Sequence, residues 1–234
     1  MKKIEIIGKF YDNHSLAIIN REVASRLGNK NEYPDIELAI TPLDQYNSEF
    51  KVNKDSIEII KELEDKEIEP DIQVRHTYPP IWRWPTKNNT KLVYIQPWEY
   101  TKIPFEWQYK FEQFADYLVT PSGWSMSNFL DAGLPPHKAA VVPNGYDPKV
   151  FNTDGRTSQM YSQTNKFTFV YVGNSQYRKG LDILLNAWQK STSLQDNVKL
   201  IIKDTPQIYG ETDLLSRITQ LLYKSQCGEI EYID

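Results

Sequence analysis

Apolar residues along this chain switch between two periods. Ile4, Ile6 and Ile7 crowd the stretch 2–8 and predict a short strand ended by Gly8. Leu16, Ile19, Val23 and Leu27 then recur at helical spacing up to Gly28 and predict a helix over 16–27. The alternation continues as strand 36–40, helix 55–67, strand 71–76, strand 92–95, helix 105–114, strand 116–122, helix 125–132 and strand 139–142. Leu92-Val-Tyr-Ile95 is apolar throughout, as in a strand buried on both faces. Such β-α alternation predicts an α/β, doubly wound, Rossmann-like domain over 1–150. Residues 151–166 are polar and read as a connector. A second alternation follows: strand 167–172, helix 181–190, strand 198–202, helix 213–224 and strand 229–233. It predicts part of another Rossmann-like domain over 167–234.

Composition narrows the partners. The 234 residues are 40% hydrophobic and 25% charged, as in soluble globular proteins, and suit one large or two small domains. A net charge of −4 argues against a nucleic-acid partner, which calls for a basic face. The single Cys227 excludes an internal disulfide framework, and the expectation is a reducing, cytoplasmic setting. No apolar run near Met1 resembles a signal peptide, and no window reaches the ~20 apolar residues of a transmembrane segment. Metal-ligand clusters and an Asp-x-Asp motif are absent, so no metal is expected. The loop after the first strand lacks a full GxGxxG, which disfavours a bound dinucleotide cofactor. Aromatic content is 13%, with 15 Tyr and 6 Trp; ring faces pack well on the C–H faces of a pyranose.

Ligands of open α/β sheets bind beyond the carboxyl ends of the strands. The first such loop holds Asn13 and His14, candidate substrate contacts; Asn13 or Ser15 serves equally as a plain helix N-cap. Loops after the third and fourth strands hold Arg75, His76, Trp82, Trp84, Gln96, Trp98 and Glu99. Any one Trp there is better explained by packing, but the set suits a sugar groove. In the second half, Gly173 ends the strand, Asn174 opens a polar loop, and Arg178 and Lys179 precede Gly180 and a helix. Two cations at a helix N-terminus suit a phosphate group. An ordinary turn with two solvated cations is an equal alternative.

The Val-Pro-Asn144-Gly145-Tyr-Asp-Pro-Lys-Val-Phe151 stretch, followed by a strand and the Lys179-Gly180 pair, resembles retaining GT-B glycosyltransferases of the large group-1 (family 4) type. Arg75-His76-x-x-Pro-Pro and Gln96-Pro-Trp-Glu99 are similar to signatures of one branch. The resemblance implies an acceptor-binding first domain and a donor-binding second domain, with the Asn144-Gly145 turn at their junction. Lys179 is then a donor-diphosphate ligand, with Asn144, Gly145, Gly173, Asn174 and Arg178 on the donor side. Many members carry Arg directly after the strand-ending Gly, where this chain has Asn174. Asn13, His14, Arg75, His76, Trp82 and Trp98 become acceptor contacts. Gln96 stands where many relatives have a His that touches the donor sugar; with Glu99 it is the catalytic candidate. The implied activity is sugar transfer from a nucleotide-diphosphate sugar to an acceptor hydroxyl, with retention, in bacterial-type polysaccharide or glycoconjugate synthesis. No cofactor beyond that co-substrate is implied.

The family's second domain has about six strands. Residues 167–234 would supply the first three and lack the acidic motif that holds the donor ribose and sugar. The expectation is a chain inactive alone, prone to self-association through the incomplete domain. The alternative reading is a non-catalytic carbohydrate-binding or assembly module derived from a transferase. A nucleotide-sugar epimerase or other Rossmann oxidoreductase is disfavoured by the missing GxGxxG and Tyr-x-x-x-Lys.

Overall fold

The computed structural model describes residues 1–46, 54–155, 165–204, 214–224 and 226–233. The chain divides into two compact units, Met1–Tyr146 and Asp147–Asp234, one residue beyond the Asn144-Gly145 pair. Of the expected connector at 151–166, residues 156–164 lie outside the described residues, as do position 213, the start of the expected helix 213–224, and position 234, the last of the expected second domain.

The first unit runs β1 (Lys2–Gly8), α1 (Ser15–Leu27), β2 (Ile36–Pro42), α2 (Lys54–Glu64), β3 (Ile72–His76), β4 (Lys91–Ile95), α3 (Phe105–Phe114), β5 (Tyr117–Thr120), α4 (Gly123–Asp131) and β6 (Ala139–Val141). Its six strands are all parallel, in the order β2-β1-β3-β4-β5-β6. The chain steps outward from β1 to β2, then returns across β1 to β3. That reversal makes the carboxyl ends of β1 and β3 the topological switch point, where such sheets open a crevice.

Alternation across the pleat assigns the faces. Ile4, Ile6, Leu38, Ile40 and Val74 pack with Ala24 and Leu27 of α1 and Ile57, Ile60 and Leu63 of α2. A second cluster joins Leu92, Tyr94 and Leu118 to Trp107 and Phe111 of α3 and Met126 and Phe129 of α4. The expected stripe of α1 is corrected by about one position. Its buried residues are Ala17, Asn20, Arg21 and Ala24, while Val23 is exposed. Two alanines let the helix lie close to the sheet, and Asn20 and Arg21 turn inward because the neighbouring loop offers carbonyls.

The second unit holds β7 (Phe167–Val172), α5 (Leu181–Ser191), β8 (Val198–Lys203), α6 (Leu214–Lys224) and β9 (Glu229–Ile233). Its parallel sheet has the order β7-β8-β9. Leu181, Leu185 and Trp188 of α5 pack on Leu200, Ile202 and Ile230 of the sheet, with Ile218 of α6. Among the described residues β7 pairs with β8 alone, and Phe167, Val170 and Val172 are exposed. No described helix is long and apolar enough to cross a membrane.

Candidate functional site

At the switch point the β1–α1 loop is held from both sides. The Asp44 carboxylate accepts hydrogen bonds from the backbone N–H of Phe10 (2.8 Å), Tyr11 (3.0 Å) and Asp12 (2.9 Å). The Arg21 guanidinium donates to the carbonyls of Phe10 and Asp12, each at 2.6 Å. Tyr11 donates its phenol to Glu64; burial, then that carboxylate, pushes the phenol pKa up.

This frame presents Asp12, Asn13 and His14. The α1 cap is neither Asn13 nor Ser15: it is His14, whose Nδ1 accepts from the Ala17 N–H at 3.3 Å. Its Nε2 lies 3.5 Å from Asp12 Oδ2. Burial lowers the His14 pKa, against the opposing pull of Asp12. For Asp12 burial acts upward, but hydrogen bonds from Lys9 and the Asn13 N–H bring the carboxyl below its ordinary value.

His76 ends β3 beside Gly8 and is 2% exposed. Burial, with His14 nearby, pushes its imidazole pKa down to about 4. Its Nδ1 is 2.7 Å from Asn20 Oδ1, and Asn20 Nδ2 donates to the carbonyls of Lys9 (3.0 Å) and His76 (3.4 Å). Gly8 is needed for this approach: a Cβ there would stand 2.4 Å from Asn20 Nδ2 and 2.7 Å from the His76 carbonyl. Gly8, Asn20 and Asp44 escaped the sequence reading. The available signal was a polar Asn between two alanines on the inner face of α1.

The loops after β3 and β4 serve differently from expectation. Arg75, expected among the acceptor contacts, is 1% exposed and spends its donors inside the protein. It binds Gln73 Oε1 (2.9 Å from Nε), the carbonyls of Ile81 (2.8 Å) and Arg83 (2.6 Å), and Tyr94 Oη (3.0 Å). It therefore tethers the Pro-rich loop to β3, while the Tyr94 hydroxyl of β4 donates to the same Ile81 carbonyl. Trp82 is sandwiched among Tyr94, Phe111 and Phe114, and Trp98 meets Trp107 at 5.2 Å. Both belong to the aromatic packing of the first unit, and Trp98 Nε1 is buried without a partner. The exposed ring of the group is Trp84, at 60%. Gln96 is 1% exposed and its amide donates to the Pro97 carbonyl, whereas Glu99 is exposed.

Asn144 and Gly145 are exposed just after β6. In the second unit the Gly173 N–H donates to the Lys203 carbonyl at 3.1 Å. Asn174, 6% exposed, accepts from the Gln176 N–H at Oδ1, and its carbonyl accepts from the Tyr171 hydroxyl. Arg178 and Lys179 are not in the first turn of the helix. They occupy a 3₁₀ turn, Tyr177–Lys179, exposed and ahead of it. Gly180 then takes the left-handed conformation, φ +70°, and α5 starts without a side-chain cap. A residue with positive φ at this corner favours glycine. The arrangement leaves two cations beside the N–H groups of an uncapped helix.

No family model and no curated protein matches the sequence. Solved structures match the fold. The crystal structure of Anabaena Alr3699/HepE in complex with UDP-glucose matches with a TM-score of 0.57 at 15% identity, over 100% of this chain and 70% of that one. The lipopolysaccharide outer core galactosyltransferase WaaB, in its apo form, matches with a TM-score of 0.52 at 14% identity, over 99% of this chain and 68% of that one. The fold is the GT-B fold, in part. At such identities the likeness is one of architecture, that of a six-strand parallel sheet followed by a three-strand parallel sheet.

Proposed function

We propose that this chain carries the acceptor-binding domain and strands β7–β9 of the donor-binding domain of a GT-B glycosyltransferase. The enzyme moves a sugar from a nucleotide-diphosphate sugar to an acceptor hydroxyl, with retention. The observation that carries this reading is the Gly173–Gly180 loop, where Arg178 and Lys179 sit exposed before an uncapped helix. The structural neighbours are a protein seen with UDP-glucose and a galactosyltransferase, which fits a diphosphate at that loop. As the glycosidic bond breaks, negative charge grows on the departing diphosphate, and fixed cations and helix N–H groups oppose that charge without reorganising. Asn144 and Gly145 are further donor-side candidates. On the acceptor side Asn13, His14 and His76 gather at the switch point; Gln96 and Glu99 follow β4.

Calorimetry with UDP tests the donor assignment. Lys179→Ala removes one charge-assisted contact from an exposed position and costs about 1.5–3 kcal/mol of binding, with folding unaffected. Equal UDP affinity in the variant and the parent rules out the role of Lys179.

A further inference from the structure

We propose that Asn20 is a positioning residue that holds His76 as its Nδ1–H tautomer, so that the Nε2 lone pair at the switch point accepts a hydrogen bond from a substrate hydroxyl. This rests on the reading of the first unit as the acceptor-binding domain.

The argument begins with the Asn20 amide. One end faces two backbone carbonyls, those of Lys9 at 3.0 Å and His76 at 3.4 Å. Carbonyls only accept, so that end is the NH₂ group, and Oδ1 points the other way. Oδ1 also only accepts, and it is 2.7 Å from His76 Nδ1. The imidazole nitrogen must therefore carry the hydrogen. A neutral imidazole has one N–H, which leaves Nε2 bare. Neutrality follows from the surroundings: the ring is 2% exposed and the ionisable group that acts on it is another imidazole, His14, not a carboxylate.

Nε2 has no hydrogen-bond partner among the described residues. The side-chain polar atoms there that are both enclosed and unpartnered are Ser25 Oγ and Trp98 Nε1, so Nε2 is neither bonded nor sealed off. A bare lone pair selects its ligand. Carboxylate and phosphodiester oxygens bring no proton at neutral pH, whereas a sugar hydroxyl does. The neighbouring His14 complements this. Its Nδ1 is occupied by the Ala17 N–H, so its own hydrogen resides on Nε2, on the Asp12 side. Two histidines in opposite tautomers thus share the end of β1 and β3. The sequence supports the arrangement at the backbone, because Gly8 is the residue that leaves room for Asn20 against the His76 carbonyl.

The test uses the full chain with ¹⁵N-labelled histidine, whose long-range ¹H–¹⁵N correlations separate the tautomers. His76 is assigned by loss of its signals in His76→Gln. At pH 7 the parent should show protonated Nδ1 and unprotonated Nε2 for His76. The reverse tautomer, or an imidazolium, overturns the proposal. Asn20→Ala should leave a mixture of tautomers; an unchanged single tautomer in that variant overturns the positioning role. Should Asn20→Ala fail to fold, Asn20→Ser, which keeps a hydroxyl but shortens the reach, takes its place with the same two outcomes. Methyl hexopyranosides at high concentration should shift the His76 Nε2 signal, and acetate, which brings no proton at pH 7, should not. A shift with acetate alone, or with neither probe, overturns the hydroxyl assignment. These signals arise in the first unit and are read without donor, so they stand apart from the UDP measurement on Lys179.

Discussion

After β1 the chain leaves through Gly8 and turns into α1 with its backbone gripped by distant side chains: Asp44 takes three N–H groups and Arg21 two carbonyls. After β7 it leaves through Gly173 and turns into α5 with hydrogen bonds that join Tyr171 to Asn174 and Asn174 to Gln176. The strands differ in the same sense. β1 has neighbours on both sides, whereas β7 pairs with β8 alone among the described residues. A gripped loop can offer hydrogen bonds of fixed direction, which suits neutral hydroxyls. An exposed loop with two cations offers charge, whose attraction falls slowly with distance and tolerates imprecise placement. The two strand–loop–helix openings are thus fitted to different halves of one proposed transfer reaction.

The largest effect that would sharpen this comparison concerns the grip itself. Asp44→Ala leaves three backbone N–H groups without their charged acceptor and should cost about 4 kcal/mol of stability in the first unit, less than the sum of three separate contacts because they share one side chain. Asn174→Ala, the nearest counterpart after β7, removes one neutral acceptor and should cost about 1 kcal/mol. Urea unfolding of the full chain, read through hydrogen exchange in each unit, measures both. Equal losses would mean that the β1 loop is no better held than the β7 loop.

Most of the scaffold was legible in the sequence because its signals are local. The strand over 167–172 and the helix over 105–114 coincide with β7 and α3 to the residue, since β-branched and aromatic runs end at a Gly or a polar loop. The site was less legible because its bonds join residues far apart in sequence. Asp44 lies 32 to 34 positions from the N–H groups it binds, and Asn20 lies 56 from His76. No periodic pattern records such pairs. Arg75 illustrates a different limit: a cation at a strand end reads as a ligand contact until the loop that it tethers folds back over it. The tryptophans are ambiguous for a related reason, since a ring that would stack on sugar buries equally well on Phe111 or Trp107.

The two strand-ending glycines provide the next test. At Gly8 an added Cβ meets Asn20 Nδ2 at 2.4 Å and a backbone carbonyl at 2.7 Å, and neither can yield without breaking the bridge to His76. Gly8→Ala should therefore cost about 3 kcal/mol, at the upper end of overpacking. At Gly173 the nearest atom is the Tyr171 hydroxyl, 3.2 Å away on a side chain that can shift. Gly173→Ala should cost less than about 1 kcal/mol. Similar midpoint shifts in urea for the two variants would break the distinction between a crowded and an open loop.

The smallest effect separates the units by pH. All three histidines, at positions 14, 76 and 137, fall in the first unit. Burial holds His76 near 4 against an ordinary value of 6.5, and the His14 pKa is also lowered. A histidine with a depressed folded pKa binds fewer protons than its unfolded counterpart between those two values. Its contribution is therefore complete above about pH 6.5 and is lost as the pH falls toward 4. At pH 5 the loss from His76 alone amounts to about 2 kcal/mol. Among the described residues of the second unit the acidic group with a lowered pKa is Glu229, held down by Lys166 and then Lys199. Its contribution is lost only below the ordinary carboxylate range, so the second unit should not weaken through it between pH 7 and 5. Hydrogen exchange at pH 7 and pH 5, corrected for intrinsic rates, should show protection falling in β1, β3 and β4 while β8 holds. His76→Gln should abolish most of that fall, and a variant that keeps it would place the acid sensitivity in some group other than the imidazole at the end of β3.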